Sequence, residues 1–143
     1  MIGAETKIGD RFRGRPKAMT LSRLLAFSGG PLAEPGWPKR NIHTDEAFAR
    51  STGLPGVCAA GTQYQAHLVE LMVDLFGETW LAGGSMAVKM VDLVMAGDSV
   101  TANAEVTNVE REGESRVVHF DVWSERQDGA KVLVGTASGR LPG

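Results

Sequence analysis

Asn41, His43 and Asp45 occupy alternate positions in the stretch Asn-Ile-His-Thr-Asp, just ahead of a short helical pattern. Imidazole exchanges protons near neutral pH, so His43 can take a proton from water, or from a carbon beside a carbonyl, and return it. Asn41 places an amide on one side of it and Asp45 a carboxylate on the other. A second turn, Gly53-Leu54-Pro55-Gly56-Val57-Cys58-Ala59-Ala60-Gly61, leads into a longer helix. The backbone amides of Ala60, Gly61 and Thr62 stand at that helix start, where unpaired donors and the helix dipole favour negative charge. Aimed at a thioester oxygen they would stabilise an enolate as it develops, and Gly61 would let a substrate approach the backbone closely. A proton carrier and an oxyanion site together suggest chemistry on an acyl carbonyl.

Each of these residues also has a structural use that spacing alone leaves open. His43 can brace the loop before it, Asp45 suits a helix cap, and a helix start after a Pro-Gly turn is common. Cys58 has no base beside it in sequence, so it reads as a small buried hydrophobe in the wall of the pocket rather than a nucleophile. His67 falls in the polar stripe of the long helix, where a solvated or locally hydrogen-bonded imidazole is expected. His119 and Asp121 sit two apart on one strand face, the spacing of a solvent-facing cross-strand pair. Gly83-Gly84 marks a strand start and lacks the context of a phosphate loop.

The elements that must position these groups follow from periodicity. Lys7 to Phe12 reads as a short opening strand and turn, and Thr20 as the N-cap of a helix over Leu21 to Ser28. Residues Gly29 to Lys39 carry Pro31, Pro35 and Pro38 with three glycines, which rules out regular structure and marks a surface loop. Thr44 is expected to cap a helix over Asp45 to Ser51, with Gly53 ending it. The next helix, Gly61 to Phe76, presents Gln63, His67, Glu70 and Asp74 as a narrow polar stripe and is apolar over most of its girth. From Gly83 the period becomes strand-like, giving Ser85 to Met95, Ser99 to Arg111, Arg116 to Arg126 and Lys131 to Arg140. Three hairpin connections between these predict an antiparallel meander. One long, mostly apolar helix followed by such a meander predicts an α+β domain over residues 1–143, with the sheet curled around the helix as in a hot-dog fold. Exposed sheet edges in such an arrangement point to a homodimer.

With 143 residues, 43% hydrophobic and 22% charged, the chain is long enough to bury a core as one domain. Its net charge of -2 and scattered Lys and Arg offer nucleic acid no basic stripe. The single Cys excludes an internal disulfide and fits a reducing compartment, and no paired Cys spacing suggests zinc. The N-terminus lacks the apolar run of a signal peptide, and no uncharged stretch is long enough to span a membrane. A cytoplasmic protein is the expectation.

The order of these motifs resembles the MaoC-like dehydratases, the (R)-specific enoyl-CoA hydratase group of hot-dog proteins. The similarity runs over nearly the whole chain: Lys7-Ile8-Gly9-Asp10, Met19-Thr20, Phe27-Ser28-Gly29, Asn41-Ile42-His43-Thr44-Asp45, Leu54-Pro55-Gly56 through Gly61, and Ala96-Gly97-Asp98. The resemblance implies an Asp and a His, in a pattern G-D-x-N-P-I-H, activating water for addition across an enoyl thioester or removing it in reverse. His43 matches that His, whereas Pro38 stands five positions before it where the Asp is expected. Many members carry A-H-G ahead of the long helix; this chain carries Ala59-Ala60-Gly61, which keeps the backbone amides.

The expected activity is hydration or dehydration of a small acyl substrate, with CoA or a carrier protein as possible carriers. His43 is the acid/base, Asn41 and Asp45 its catalytic neighbours, and Cys58, Ala60, Gly61 and Thr62 the substrate-binding set. Asp45, Glu34 or a residue of a partner subunit is the candidate replacement for the absent carboxylate. No metal or cofactor motif is visible, and acid/base chemistry beside a thioester needs none. An altered hot-dog enzyme (thioesterase, isomerase or cyclase on a polyketide-like or aromatic substrate) and a non-catalytic acyl-binding subunit are the alternatives.

Overall fold

The structure, a computed structural model, describes residues 1–141; the last two positions of the expected domain lie outside the described residues. In chain order the elements are β1 (Arg11–Arg13), β2 (Lys17–Ala18), α1 (Leu21–Ser28), α2 (Glu46–Ser51), α3 (Gly61–Phe76), α4 (Thr79–Gly83), β3 (Ser85–Met90), β4 (Ser99–Glu112), β5 (Ser115–Arg126) and β6 (Lys131–Leu141). Among the described residues the strands form one antiparallel sheet in the order β1-β4-β5-β6-β3, with β2 pairing the start of β4. The sheet curls around α3, giving the expected hot-dog architecture.

Strand alternation decides which residues meet the helix. β5 turns Val118, Phe120 and Val122 inward, and β4 turns in Val100, Ala102, Ala104 and Val106, all buried. Against them α3 lays Tyr64, Leu68, Leu71, Met72, Leu75 and Phe76. The Phe76 and Phe120 rings meet edge to face with centroids 5.8 Å apart. Each fully buried Leu or Phe of this interface stabilises the fold by roughly 1.5–3 kcal/mol relative to exposure. A Cβ at Gly139 would run into the Phe76 ring, so glycine is what lets β6 pass this close to the helix. No helix among the described residues is long and apolar enough to cross a membrane.

The sheet departs from the expected meander at one point. β3 pairs with β6 rather than β4, so Ala96-Gly97-Asp98 is not a hairpin turn between neighbours. β3 also stops at Met90 instead of reaching Met95. The amides of Val91 and Asp92 both point at the Val132 carbonyl (2.9 and 3.4 Å), which breaks the ladder. Beyond this the chain leaves the sheet edge to pair with the turn ahead of α3. The Ala59 amide donates to Val94 O at 2.7 Å, Cys58 bridges Met95, and the Ala96 amide donates to Val57 O at 3.0 Å. The β-prone residues of this stretch therefore hold the α3 turn instead of extending β3. The short helix α4, absent from the periodicity reading, buries Trp80, whose indole donates to Ser138 O at 3.1 Å.

Thr20 caps α1 as expected, accepting from the Arg23 amide. The cap of α2 is Asp45 and not Thr44: Asp45 Oδ1 accepts from the Phe48 amide at 2.6 Å. The Thr44 hydroxyl turns back instead, donating to Lys39 O at 2.6 Å and accepting from the Asn41 amide at 3.0 Å. A carboxylate is the stronger acceptor for a helix N-terminus, and moving the cap one residue frees Thr44 to close the Pro-rich loop.

The polar stripe of α3 is covered more fully than its composition suggests. Gln63 donates to Arg23 O, and Glu70 pairs with Lys17 at 2.7 Å, so α1 and β2 overlie it. His67, expected to be solvated or locally hydrogen-bonded, is half-buried, and its Nδ1 makes no hydrogen bond. Burial first, then the Lys17 ammonium, push its pKa down, with Glu70 opposing and Arg23 adding. A depressed folded-state pKa means the unfolded chain binds a proton that the folded chain refuses, beginning near the ordinary His value of about 6.5. His67 therefore favours the folded state above that pH and penalises it as pH falls. Urea midpoints at pH 7.5 and pH 5.0 should drop further in the parent than in His67→Gln; equal drops would remove His67 from the linkage.

Candidate functional site

The turn that carries His43 is built by Asn41. Its Oδ1 accepts from the His43 amide at 2.8 Å, and its Nδ2 donates to Ser28 O at 2.9 Å, tying the turn to the end of α1. Its carbonyl accepts from the amides of Thr44 and Asp45. The Asn41 side chain is thus engaged with backbone on both sides and orients the segment His43 leaves from.

His43 is then fixed from the opposite direction. Its Nδ1 lies 2.7 Å from the Cys58 carbonyl oxygen, and the Cys58 amide donates to Ile42 O at 3.3 Å. A carbonyl oxygen can only accept, so Nδ1 carries the proton and donates. In the neutral ring Nε2 then keeps its lone pair, the form a general base requires. Cys58 Sγ lies 3.8 Å from Nδ1, a neighbour that sequence order did not reveal. The thiol is buried, and burial pushes its pKa up, which favours the protonated form over the nucleophilic thiolate.

The turn between α2 and α3 is held by Glu46, which the sequence offers only as an acidic residue suited to the positive end of the α2 dipole. Glu46 accepts from the Val57 amide at 3.0 Å and pairs with Arg50 at 2.7 Å. Those two partners, the Val57 amide first, lower its pKa. A Cβ at Gly56 would lie 3.0 Å from this carboxylate. Ala60 is the N-cap of α3 with extended backbone and no side-chain cap, leaving first-turn amides for another acceptor. Met90 lies over this end, where a Cβ at Gly61 would collide with its thioether.

A cavity of about 480 Å³ opens beside the α3 start and is lined by Ile42, His43, Cys58, Gly61 and Tyr64, with the exposed run Met90, Val91, Asp92 and Leu93 at its rim. It brings together His43, Cys58 and Gly61 from the expected set. Ala60 adjoins it as the helix cap, Thr62 is exposed on the first turn, and Asn41 and Asp45 do not line it. Asp45 is engaged as the α2 cap, with Arg40 Nε 3.6 Å from the same oxygen.

Tyr64 and Asp92 are site-lining residues that sequence reasoning missed. Tyr64 lies one turn into α3 on its core face, a position that reads as packing. Burial, then Cys58 and Asp92, raise the Tyr64 pKa, so its phenol remains a donor. Asp92 fell inside an expected strand. His119 stands on the outer sheet face 3.6 Å from Glu110, away from this cavity, as its strand position suggested. A larger hollow of about 830 Å³ lies at the β4–β5 hairpin. Its Arg116 guanidinium is bound to the carbonyls of Gly3, Ala4 and Thr6, and no imidazole or thiol lines it among the described residues. His43 and Cys58 line the cavity of about 480 Å³ instead.

The MaoC like domain profile matches residues 40–126, well over half of the chain. No curated protein matches by sequence. The fold is similar to that of the (R)-hydratase from A. caviae involved in PHA biosynthesis, with 23% identity and a TM-score of 0.74 over 98% of this chain and 100% of that one. It is similar too to the MaoC-like dehydratase from Rhodospirillum rubrum, with 21% identity and a TM-score of 0.75 over 96% and 94% of the two chains. A protein from Mycobacterium tuberculosis described as a double hot-dog fold matches 96% of this chain and 43% of its own, at 12% identity and a TM-score of 0.71. The segment matched by the profile holds His43, the α3 start and the wall that closes the cavity, and the chain belongs to the MaoC-like domain family.

Proposed function

We propose that this protein hydrates an enoyl thioester, or dehydrates the corresponding hydroxyacyl thioester, with His43 as the acid/base. The observation that carries this reading is the Nδ1 hydrogen bond to Cys58 O, which in a neutral ring leaves the lone pair on Nε2, in a residue that lines the same cavity as the start of α3. Water gives its proton to Nε2 as its oxygen bonds to the β-carbon. The alkene electron pair moves through the α-carbon onto the thioester oxygen, where amides around Ala60, Gly61 and Thr62 hold the developing charge. The imidazolium returns the proton to the α-carbon, and the oxyanion collapses back to the carbonyl. Dehydration is the same path reversed, and neither direction needs a cofactor.

General acid/base catalysis by one positioned side chain is worth about 10²–10⁴-fold. His43→Ala should therefore lower kcat/KM for crotonyl-CoA hydration, followed by loss of enoyl absorbance, by a factor in that range. Unchanged turnover would end the reading.

One observation favours a second reading, an altered enzyme such as a thioesterase, isomerase or cyclase. Pro38 stands in place of the family aspartate, inside a Gly29 to Lys39 loop closed on itself by the Lys39 amide donating to Gly29 O at 2.8 Å. Brisk hydration of crotonyl-CoA by the parent would exclude this alternative.

The working unit in this proposal is a homodimer. β3 is an edge strand, and the exposed Met90, Val91 and Leu93 continue from it around the cavity mouth. An unpaired edge next to an apolar rim is a surface that proteins cover. Light scattering coupled to size-exclusion chromatography should return twice the chain mass at micromolar concentration; a monomer would contradict this.

A further inference from the structure

His43 alone leaves the attacking water with one partner, and the carboxylates anticipated near it are engaged elsewhere. Asp45 caps α2, and Glu34 pairs with Lys39 at 3.2 Å within the Pro-rich loop. Neither lines the cavity that contains His43. Among the described residues, the one carboxylate that does is Asp92.

The backbone accounts for its presence there. Because Val91 and Asp92 crowd their amides onto the single Val132 carbonyl, the strand pattern fails at this point. The following residues leave the sheet to pair with the turn ahead of α3, which sets the exposed Val91 to Leu93 segment along the rim of the cavity. Two further contacts fix that rim. Asp92 Oδ1 accepts from the Leu93 amide at 2.7 Å, and Oδ2 lies 3.2 Å from Arg126 Nη2. The same guanidinium donates to Leu93 O at 2.7 Å and grips Asp128 from the β5–β6 turn. Arg126 thus anchors the segment through one side-chain and one backbone oxygen. A carboxylate has about four acceptor sites, so these contacts leave capacity for a water.

We propose that Asp92 supplies the carboxylate of this site, accepting a hydrogen bond from the attacking water and orienting it while His43 Nε2 takes the proton. The role rests on the hydratase reading above. Tethered to Arg126, Asp92 acts as a fixed acceptor, and the proton inventory of the step is unchanged: one proton leaves water for Nε2 and is returned to the α-carbon. Tyr64, on the core face of α3, lines the same cavity, and the Asp92 charge helps to raise its pKa.

The test compares three proteins in crotonyl-CoA hydration and in binding of butyryl-CoA, which fills the site without reacting. Asp92→Asn keeps an oxygen for the Leu93 amide and should lower kcat by about 10²-fold while the butyryl-CoA Kd stays within about threefold, the signature of an interaction made in the transition state. Arg126→Gln removes the anchor but leaves the carboxylate, and should lower kcat less than Asp92→Asn. Asp92→Asn turnover close to that of the parent overturns the assignment. A Kd weakened in parallel with kcat, or a larger loss in Arg126→Gln, makes Asp92 a structural brace and overturns it as well. A parent that hydrates no enoyl thioester removes the hydratase reading and the Asp92 role together, an outcome distinct from an active parent with an indifferent Asp92.

Discussion

The hydrogen bond from His43 Nδ1 to the Cys58 carbonyl, at 2.7 Å, is the constraint on which the site depends. It joins two stretches of chain that would otherwise lie side by side as separate turns: the Asn41 turn before α2 and the turn that starts α3. It also sets the proton on one ring nitrogen and leaves the lone pair on the other. The reciprocal contact, Cys58 amide to Ile42 carbonyl, makes the pairing a two-point clamp of backbone on backbone and side chain. Substituting the Cys58 side chain would leave this clamp in place, because both of its Cys58 atoms are main chain.

Everything else in the fold holds the two halves of that clamp. Asn41 fastens the first half to α1, and Glu46 fastens the second half to α2. The sheet contributes from the other side, since Ala59 and Ala96 exchange backbone bonds with Val94 and Val57 across the crossover segment. α3 can begin with an uncapped N-terminus because its core face, from Tyr64 to Phe76, is packed into the curled sheet. Packing stabilises a helix whose end is left open, and the open end keeps first-turn amides without a side-chain cap. Gly61 leaves the room that the Met90 thioether takes over the helix start.

Much of this was legible in the sequence. The bounds of α1 and α3, the Thr20 cap, the β4–β5–β6 hairpins and the inward set Val118, Phe120 and Val122 all follow from period and turn chemistry, which are local properties. The failures are non-local. Val91 to Met95 has strand-like composition, and only the competing pairing with Val57 to Ala59 takes it away from β3. The pairing of β3 with β6 reflects the same competition, since no turn signal distinguishes a crossover from a hairpin. The Thr44 and Asp45 exchange of roles is a one-residue choice between two competent caps. In the site, the family resemblance singled out His43, but its contact with Cys58 spans fifteen residues of chain. Asp92 and Tyr64 carried no motif at all, and they become site residues only because the crossover brings the segment after β3 over the start of α3.

The imidazole tautomer tests the central constraint most directly. Selective ¹⁵N labelling of histidine, with two-bond ¹H–¹⁵N correlation at a pH where the rings are neutral, distinguishes the two nitrogens of His43 once a His43→Gln spectrum assigns the signal. The expected result is an Nδ1-protonated ring with an unprotonated Nε2, persisting in Cys58→Ala because the acceptor is a backbone oxygen. An Nε2-protonated ring would contradict it, since the Cys58 carbonyl would then face a lone pair and no base would remain directed into the cavity.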